Sequence, residues 1–221
     1  MATVKPGGIG PIRGKTGNTT RYDLNGKQIV RGIGGPGPAT PKRLMIRQRT
    51  RLLQEVFSPL DAFIRVGFDK CLKEWCWTFH NVAMNLNNPD SISGIYPDQF
   101  VDYSKLILSK GNLPGVKHPE VKLIDNSLVF SWENNTEEDG ADEDDQVMVA
   151  VYFPEMEKAM TVQSGTTRKS GRYQLQLTSH VENRVMEIFM AFNAEDRRDV
   201  SDSVYVGNLM WTANTGNHGE A

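Results

Sequence analysis

The run EVKLIDNSLVFSWE at residues 120–133 decides the class of fold. Residues 120–124 and 127–133 read as two short strands, because apolar and aromatic side chains recur with a period near two. The same reading extends to 147–153, 158–163, 172–177, 185–192 and 201–211. Seven short strands separated by turn-forming residues predict a Greek-key sandwich. Trp132 is its expected large core aromatic. Val129, Trp132, Val149, Val151, Leu175, Leu177, Ile188 and Met190 are expected to point inward and close one core, so that 116–213 folds alone. With no Cys–Cys bridge and no clear tyrosine corner, a fibronectin type III-like sandwich fits better than a true immunoglobulin domain.

Working outward, Phe100–Leu108 reads as one more strand, followed by a linker marked by Gly111, Pro114, Gly115 and Pro119. Upstream the period changes to 3.6. Thr40 is the expected N-cap and Pro41 the first position of a helix carrying Met45, Leu52, Leu53, Val56 and Phe57. Ser58-Pro59 restarts the pattern in the same way, with Leu60, Phe63, Ile64 and Phe68 as its apolar stripe. A third helix, from about Lys70 to Leu86, carries Leu72, Trp75, Cys76, Phe79, Val82 and Ala83, and Asn87-Asn88-Pro89 ends it. Residues 1–39 form a glycine-punctuated arm in which no long helix persists. Inside it Asn25-Gly26 predicts a hairpin, flanked by Arg21–Leu24 and Lys27–Val30. The expected class is therefore α+β: arm 1–39, helical region 40–98, strand and linker 99–115, sandwich 116–213, tail 214–221.

Hydrophobic residues make up 38% of 221 and charged residues 24%, an ordinary balance for a globular chain. The net charge of −2 hides a strong asymmetry. Residues 1–52 hold eleven bases against the single acid Asp23, a net of +10. Residues 133–145 hold eight acids and no base, a net of −8. Such blocks predict partners better than the total does. The N-terminus MATVKPGGIGPIRGK lacks the apolar core of a secretory signal, and no stretch approaches a membrane span. Synthesis in the cytoplasm is expected, with an extracellular or virion destination left open.

No motif announces catalysis. Gly14-Lys15-Thr16 has the wrong glycine spacing for a phosphate loop and neither a strand before nor a helix after, so no nucleotide binding is expected. His80, His118, His180 and His218 have no ligand spacing, and His80 reads as an interior or boundary side chain. Ser164-Gly165-Thr166 and Ser170-Gly171 form no nucleophile elbow. The acidic tract lacks the calcium-loop pattern and reads as a solvated loop with at most weak cation binding. Cys71 and Cys76, five apart on a helix, read as small buried hydrophobes. No cofactor, metal or enzymatic activity is expected.

The ordered elements Gly14-Lys15 with Gly17-Asn18, Tyr22, Gly26-Lys27, Arg31, Thr40-Pro41, Arg47-Gln48-Arg49, Phe57, Pro59-Leu60, Ile64 with Gly67-Phe68, Tyr96-Pro97-Asp98, Asp102 to Gly115 and Val200 to Gly207 resemble an uncharacterised protein family abundant in Bacteroidota, a domain of unknown function. The resemblance spans essentially the whole chain. It implies no activity, and the long acidic insertion departs from it.

The expected function is structural: a protein that docks through its arm on another copy or on another structural protein, as filament or virion building blocks do. Arg13, Lys15, Arg21, Tyr22, Leu24, Ile29, Val30 and Arg31 are the candidate docking residues. Glu137, Glu138, Asp139, Asp142, Glu143, Asp144 and Asp145 are the candidate acceptor surface. The alternative is contact with nucleic acid through Lys42, Arg43, Arg47, Arg49 and Arg51.

Overall fold

The chain divides into two units by its contacts, residues 1–44 and residues 45–221. The computed structural model describes residues 2–4, 13–24, 26–35, 37–71, 78–124, 126–177 and 184–211. The class is α+β: a small sheet, a short helical region, then further antiparallel sheets.

The small unit is built around the expected hairpin. Strands β1 (Ala2–Val4), β2 (Gly14–Thr16), β3 (Thr19–Leu24) and β4 (Lys27–Gly32) form one antiparallel sheet in the order β1-β4-β3-β2. Leu24 pairs with Lys27, the register expected of the hairpin. Gly14-Lys15-Thr16 is an edge strand. It runs into a second tight turn at Thr16↔Thr19, not into a helix.

The helices are α1 (Pro41–Phe57), α2 (Asp61–Gly67) and α3 (Phe79–Asn87). Thr40 Oγ1 accepts from Arg43 N at 3.4 Å, the expected cap. Ser58 does not cap α2. Its N–H donates to Gln54 O at 2.9 Å and so completes α1, and α2 opens after a turn at Asp61. The cap that sequence reading missed is Thr78, whose side chain accepts from Asn81 N at 3.3 Å. The expected single helix from about Lys70 to Leu86 is not continuous: residues 69–71 are helical, but Thr78 is extended and α3 starts afresh at Phe79, while 72–77, with Leu72, Trp75 and Cys76, lie outside the described residues. Between α3 and the large sheets a short pair, β5 (Ile92–Ser93) and β6 (Phe100–Val101), makes a hairpin.

Seven further strands follow: β7 (Lys117–Ile124), β8 (Ser127–Glu133), β9 (Gln146–Phe153), β10 (Lys158–Val162), β11 (Arg172–Gln176), β12 (Arg184–Asn193) and β13 (Val204–Trp211). They form a three-stranded sheet, β11-β8-β7, and a four-stranded sheet, β10-β9-β12-β13, both antiparallel. Leu128, Phe130 and Trp132 pack against Val147, Val149, Val151, Ile188, Met190 and Phe192 to make the core between the sheets. Leu175 and Leu177 join it. Val129 does not: strand alternation puts it opposite Trp132, on the outer face.

The other face of the four-stranded sheet is also covered. Met148, Ala150, Tyr152, Phe189 and Ala191 pack with Leu53, Val56, Phe57, Leu60, Phe63, Ile64 and Phe68 of the helical region. This is why β9 and β12 read as nearly unbroken apolar runs. The unit of residues 45–221 has three layers: helices, four strands, three strands.

The expected strand 100–108 is not formed beyond Val101. Tyr103–Lys105 turn into a 3₁₀ helix, and the following extended segment is held by side chains instead of a ladder. Asn87 Oδ1 accepts from Ile107 N and its Nδ2 donates to Ile107 O, both at 2.8 Å. Ser203 Oγ accepts from Leu108 N at 2.8 Å, and Ser109 Oγ donates to Ser201 O at 2.8 Å. Asp202 and Asp199 accept from the N–H groups of Gly111 and Asn112, both at 3.1 Å. The backbones approach so closely that a Cβ on Gly67 would meet Leu108 O, and one on Gly111 would meet Val200 O.

Candidate partner-docking site

The register of the arm sheet divides the eight candidate docking residues between two faces. Lys15 pairs with Thr20, Thr20 with Arg31, and Tyr22 with Ile29. Paired residues share a face, so Lys15, Tyr22, Leu24, Ile29 and Arg31 lie on one side. Arg21 and Val30 lie on the other. Arg13 is held by Asp23, with Nη2 to Oδ2 at 2.8 Å. Every residue of β2 is exposed, and Ile29 is the one buried side chain among the described residues of the unit. The first face therefore has an apolar centre and the bases Lys15, Lys27 and Arg31 around it.

The candidate acceptor loop is in part tied down by bases and in part open. Asp145 is buried and paired with Arg168, which has no exposed surface (Nη2 to Oδ2 3.0 Å, Nε to Oδ2 3.1 Å). Arg168 also donates to Asn135 Oδ1 at 2.7 Å and Pro114 O at 3.0 Å, and its guanidinium lies 3.9 Å from the centre of the Phe192 ring. Burial pulls this guanidinium below its usual pKa, and Asp145 opposes the shift. Trp132 Nε1 donates to Arg168 O at 2.9 Å, so the core aromatic and the loop are tied together. Glu138 is bound to Lys117, which holds its carboxyl below the usual range. Glu143 pairs with Lys169 at 2.5 Å. Glu137, Asp139, Asp142 and Asp144 remain exposed. Nothing in the polar run T-T-R-K-S-G marked Arg168 as the buried partner.

The basic helix is likewise divided. Helical spacing puts Arg43, Arg47 and Arg51 on one stripe and Lys42 and Arg49 on another. Arg51 Nε donates to Glu55 at 2.7 Å, which raises its pKa. Gln48 Nε2 donates to Pro97 O at 2.5 Å. With the Gln99 amide turned so that its oxygen faces Arg49, the orientation its neighbours require, Arg49 Nε donates to that oxygen at 2.9 Å and the Gln99 nitrogen donates to Met45 O at 3.2 Å. Gln48, Arg49 and Gln99 thus fasten the β5–β6 hairpin to α1. The hairpin presents Ile95 (85% exposed) and Phe100 (57% exposed) to solvent.

Beside that hairpin is a cleft of about 330 Å³ that sequence reading did not find. It is walled by α1, the β5–β6 hairpin and the β9–β10 corner, and lined by Glu55, Phe100, Tyr103, Tyr152, Pro154 and Glu157 among others. A shallower depression along α1 shares Glu55 and Glu157 with it. The Tyr103 and Tyr152 rings meet at a tilt of 46°, their centres 5.9 Å apart. Burial pushes the Tyr103 phenol up to about 12, with Glu187 and Glu55 adding to the shift. Tyr152 is raised by burial and by Tyr103, Glu157 and Glu55. Behind it Tyr205 donates to the buried Glu187 at 2.6 Å, and burial raises the Glu187 carboxyl above its ordinary value. His80 lies 3.4 Å from Asp61 and His118 3.4 Å from Glu133, while His180 and His218 lie outside the described residues. Among the described residues no group of three or more His, Cys, Asp or Glu is placed to hold a metal, and no helix is long and apolar enough to cross a membrane.

Residues 14–207 match a family described as "Family of unknown function (DUF6266)". The chain belongs to that family. No curated protein and no solved structure matches it. The DUF6266 match begins at the edge strand β2 and ends within β13, so it takes in the arm hairpin, the helices and the two large sheets. Several of the ordered elements that carried the resemblance have structural work. Gly67, Asp102 to Gly115 and Val200 to Gly207 converge on the side-chain-held segment, and Arg47-Gln48-Arg49 meets Tyr96-Pro97-Asp98 at the β5–β6 hairpin.

Proposed function

We propose that this chain is a non-enzymatic assembly protein that docks on other copies of itself through its N-terminal arm. The observation that carries the reading is the arm sheet: it is a unit apart, ends in the fully exposed strand β2, and buries only Ile29 among its described side chains. A sheet so thin has little core of its own, and an uncovered edge is a template for another surface. Arm-to-body contacts are head-to-tail, and such contacts close into rings or extend as filaments, the building-block role expected for filament or virion parts. We read the seven strands of the body as fibronectin type III-like. Their order supports this, with the first, second and fifth strands in one sheet and the fourth, third, sixth and seventh in the other.

The test is the mass in solution of the full chain and of a chain lacking residues 1–39, by light scattering. The reading expects a concentration-dependent oligomer for the first and a folded monomer for the second, with assembly surviving about 0.15 M salt. Nucleic-acid contact through α1 predicts something else: a steep salt dependence, with a log–log slope of about −4.5 for five neutralised phosphates. Steep DNA binding by a chain that stays monomeric would replace the assembly reading.

A further inference from the structure

We infer that the cleft between α1, the β5–β6 hairpin and the β9–β10 corner receives the basic face of a second copy's arm. The inference rests on the assembly reading and names its receiving surface. The hairpin is fixed, because Gln48 holds Pro97 O and Gln99 bonds both Arg49 and Met45 O. It therefore holds Phe100 and Ile95 in water, though nothing in the fold requires either to be apolar there. Phe100 lines the cleft while more than half exposed, and a large apolar side chain held in water on a cleft wall is the mark of an interaction surface.

The chemistry of the cleft selects the partner. Glu55 and Glu157 stand on its wall, and Phe100, Tyr103 and Tyr152 supply ring faces. Glu55 is engaged by Arg51, and Glu157 faces the same guanidinium at longer range without an ion pair among the described residues. A carboxylate beside aromatic faces suits a long basic side chain: the charge meets the carboxylate and the aliphatic stem lies on the rings. A polyanion would meet Glu55 and Glu157 as like charges. The arm supplies the matching surface. Lys15 and Arg31 lie in one row through Thr20, both exposed and both without an acid partner among the described residues, while Arg13 is already held by Asp23. They sit within the segment of 52 residues whose net charge is +10. In the acidic loop Asp145, Glu138 and Glu143 are already occupied by Arg168, Lys117 and Lys169, while Glu137, Asp139, Asp142 and Asp144 stay exposed.

The test uses full-length chains with two pairs of exposed substitutions. One carries Phe100→Ser and Glu157→Lys in the cleft, the other Lys15→Glu and Arg31→Glu in the arm. Thermal melts should match the unaltered chain. Self-association, read by sedimentation velocity, should weaken at least tenfold in each. An equimolar mixture should regain a discrete one-to-one complex, since one partner keeps its arm and the other its cleft. If the cleft variant associates like the unaltered chain, the cleft is not the acceptor while arm-driven assembly stands. A mixture of folded variants that stays monomeric overturns the pairing. An unaltered chain that is monomeric throughout overturns the assembly reading itself, and the cleft with it.

Discussion

Arg168 is a charged side chain with no exposed surface, and its setting shows what that requires. Asp145 neutralises it, Asn135 and Pro114 O accept two further N–H groups, and Phe192 lies under its plane. Removing one partner of a buried pair leaves the other charge uncompensated, at about 3–5 kcal/mol. Arg168→Met should lose stability on that scale in urea denaturation, and the double change Arg168→Met with Asp145→Leu should recover much of it. Glu187 makes the opposite case. Its carboxyl is raised by burial, so its contribution to stability is full below the ordinary glutamate value and is lost as pH rises through the elevated folded value. Glu187→Gln keeps an acceptor for Tyr205 and removes the titration. It should leave the melting temperature unchanged near pH 4 and raise it near pH 8, roughly 2–4 °C for each kcal/mol gained. Both residues were invisible in the sequence for one reason: burial of a charge depends on which distant groups meet it, and composition does not record that.

At the scale of elements, periodicity was legible wherever a ladder or a helix satisfies the backbone. The strands at 127–133, 147–153, 158–163, 172–177 and 185–192 appear within about two residues of their expected ends, the ordinary uncertainty of such boundaries. It misled at Phe100–Leu108, where alternating apolar residues suggested a strand but Asn87 and Ser203 accept from Ile107 and Leu108, as Asp202 and Asp199 do from Gly111 and Asn112 just beyond. Gly111 is the sharpest test of that junction. Gly111→Ala places a methyl against the Val200 carbonyl, and overpacking of this kind costs about 1–3 kcal/mol. The loss should appear as an earlier thermal midpoint with no change in the arm's exposed residues. The docking residues were legible as a segment but not as a surface. Sequence named the hairpin, and only the pairing register separated Lys15, Tyr22 and Arg31 from Arg21 and Val30. The cleft left no trace in any single motif, because its walls come from α1, β5–β6 and β9–β10.

At the scale of the molecule, the helices and the four-stranded sheet share a core. A fragment of residues 116–213 would expose Met148, Ala150, Tyr152, Phe189 and Ala191 to water, and the apolar area lost is worth about 25 cal/mol per Å². It should melt without cooperativity by circular dichroism, whereas residues 40–213 should melt as a single transition. The arm belongs to a different scale of organisation: it forms a unit of its own, and its Lys15 and Arg31 are exposed with no acid partner among the described residues. The most direct measurement of what that arm does is sedimentation equilibrium of the full chain over a wide concentration range at about 0.15 M salt. The account predicts a mass that climbs above the 24.8 kDa monomer with concentration. A single 24.8 kDa species at every concentration would contradict it.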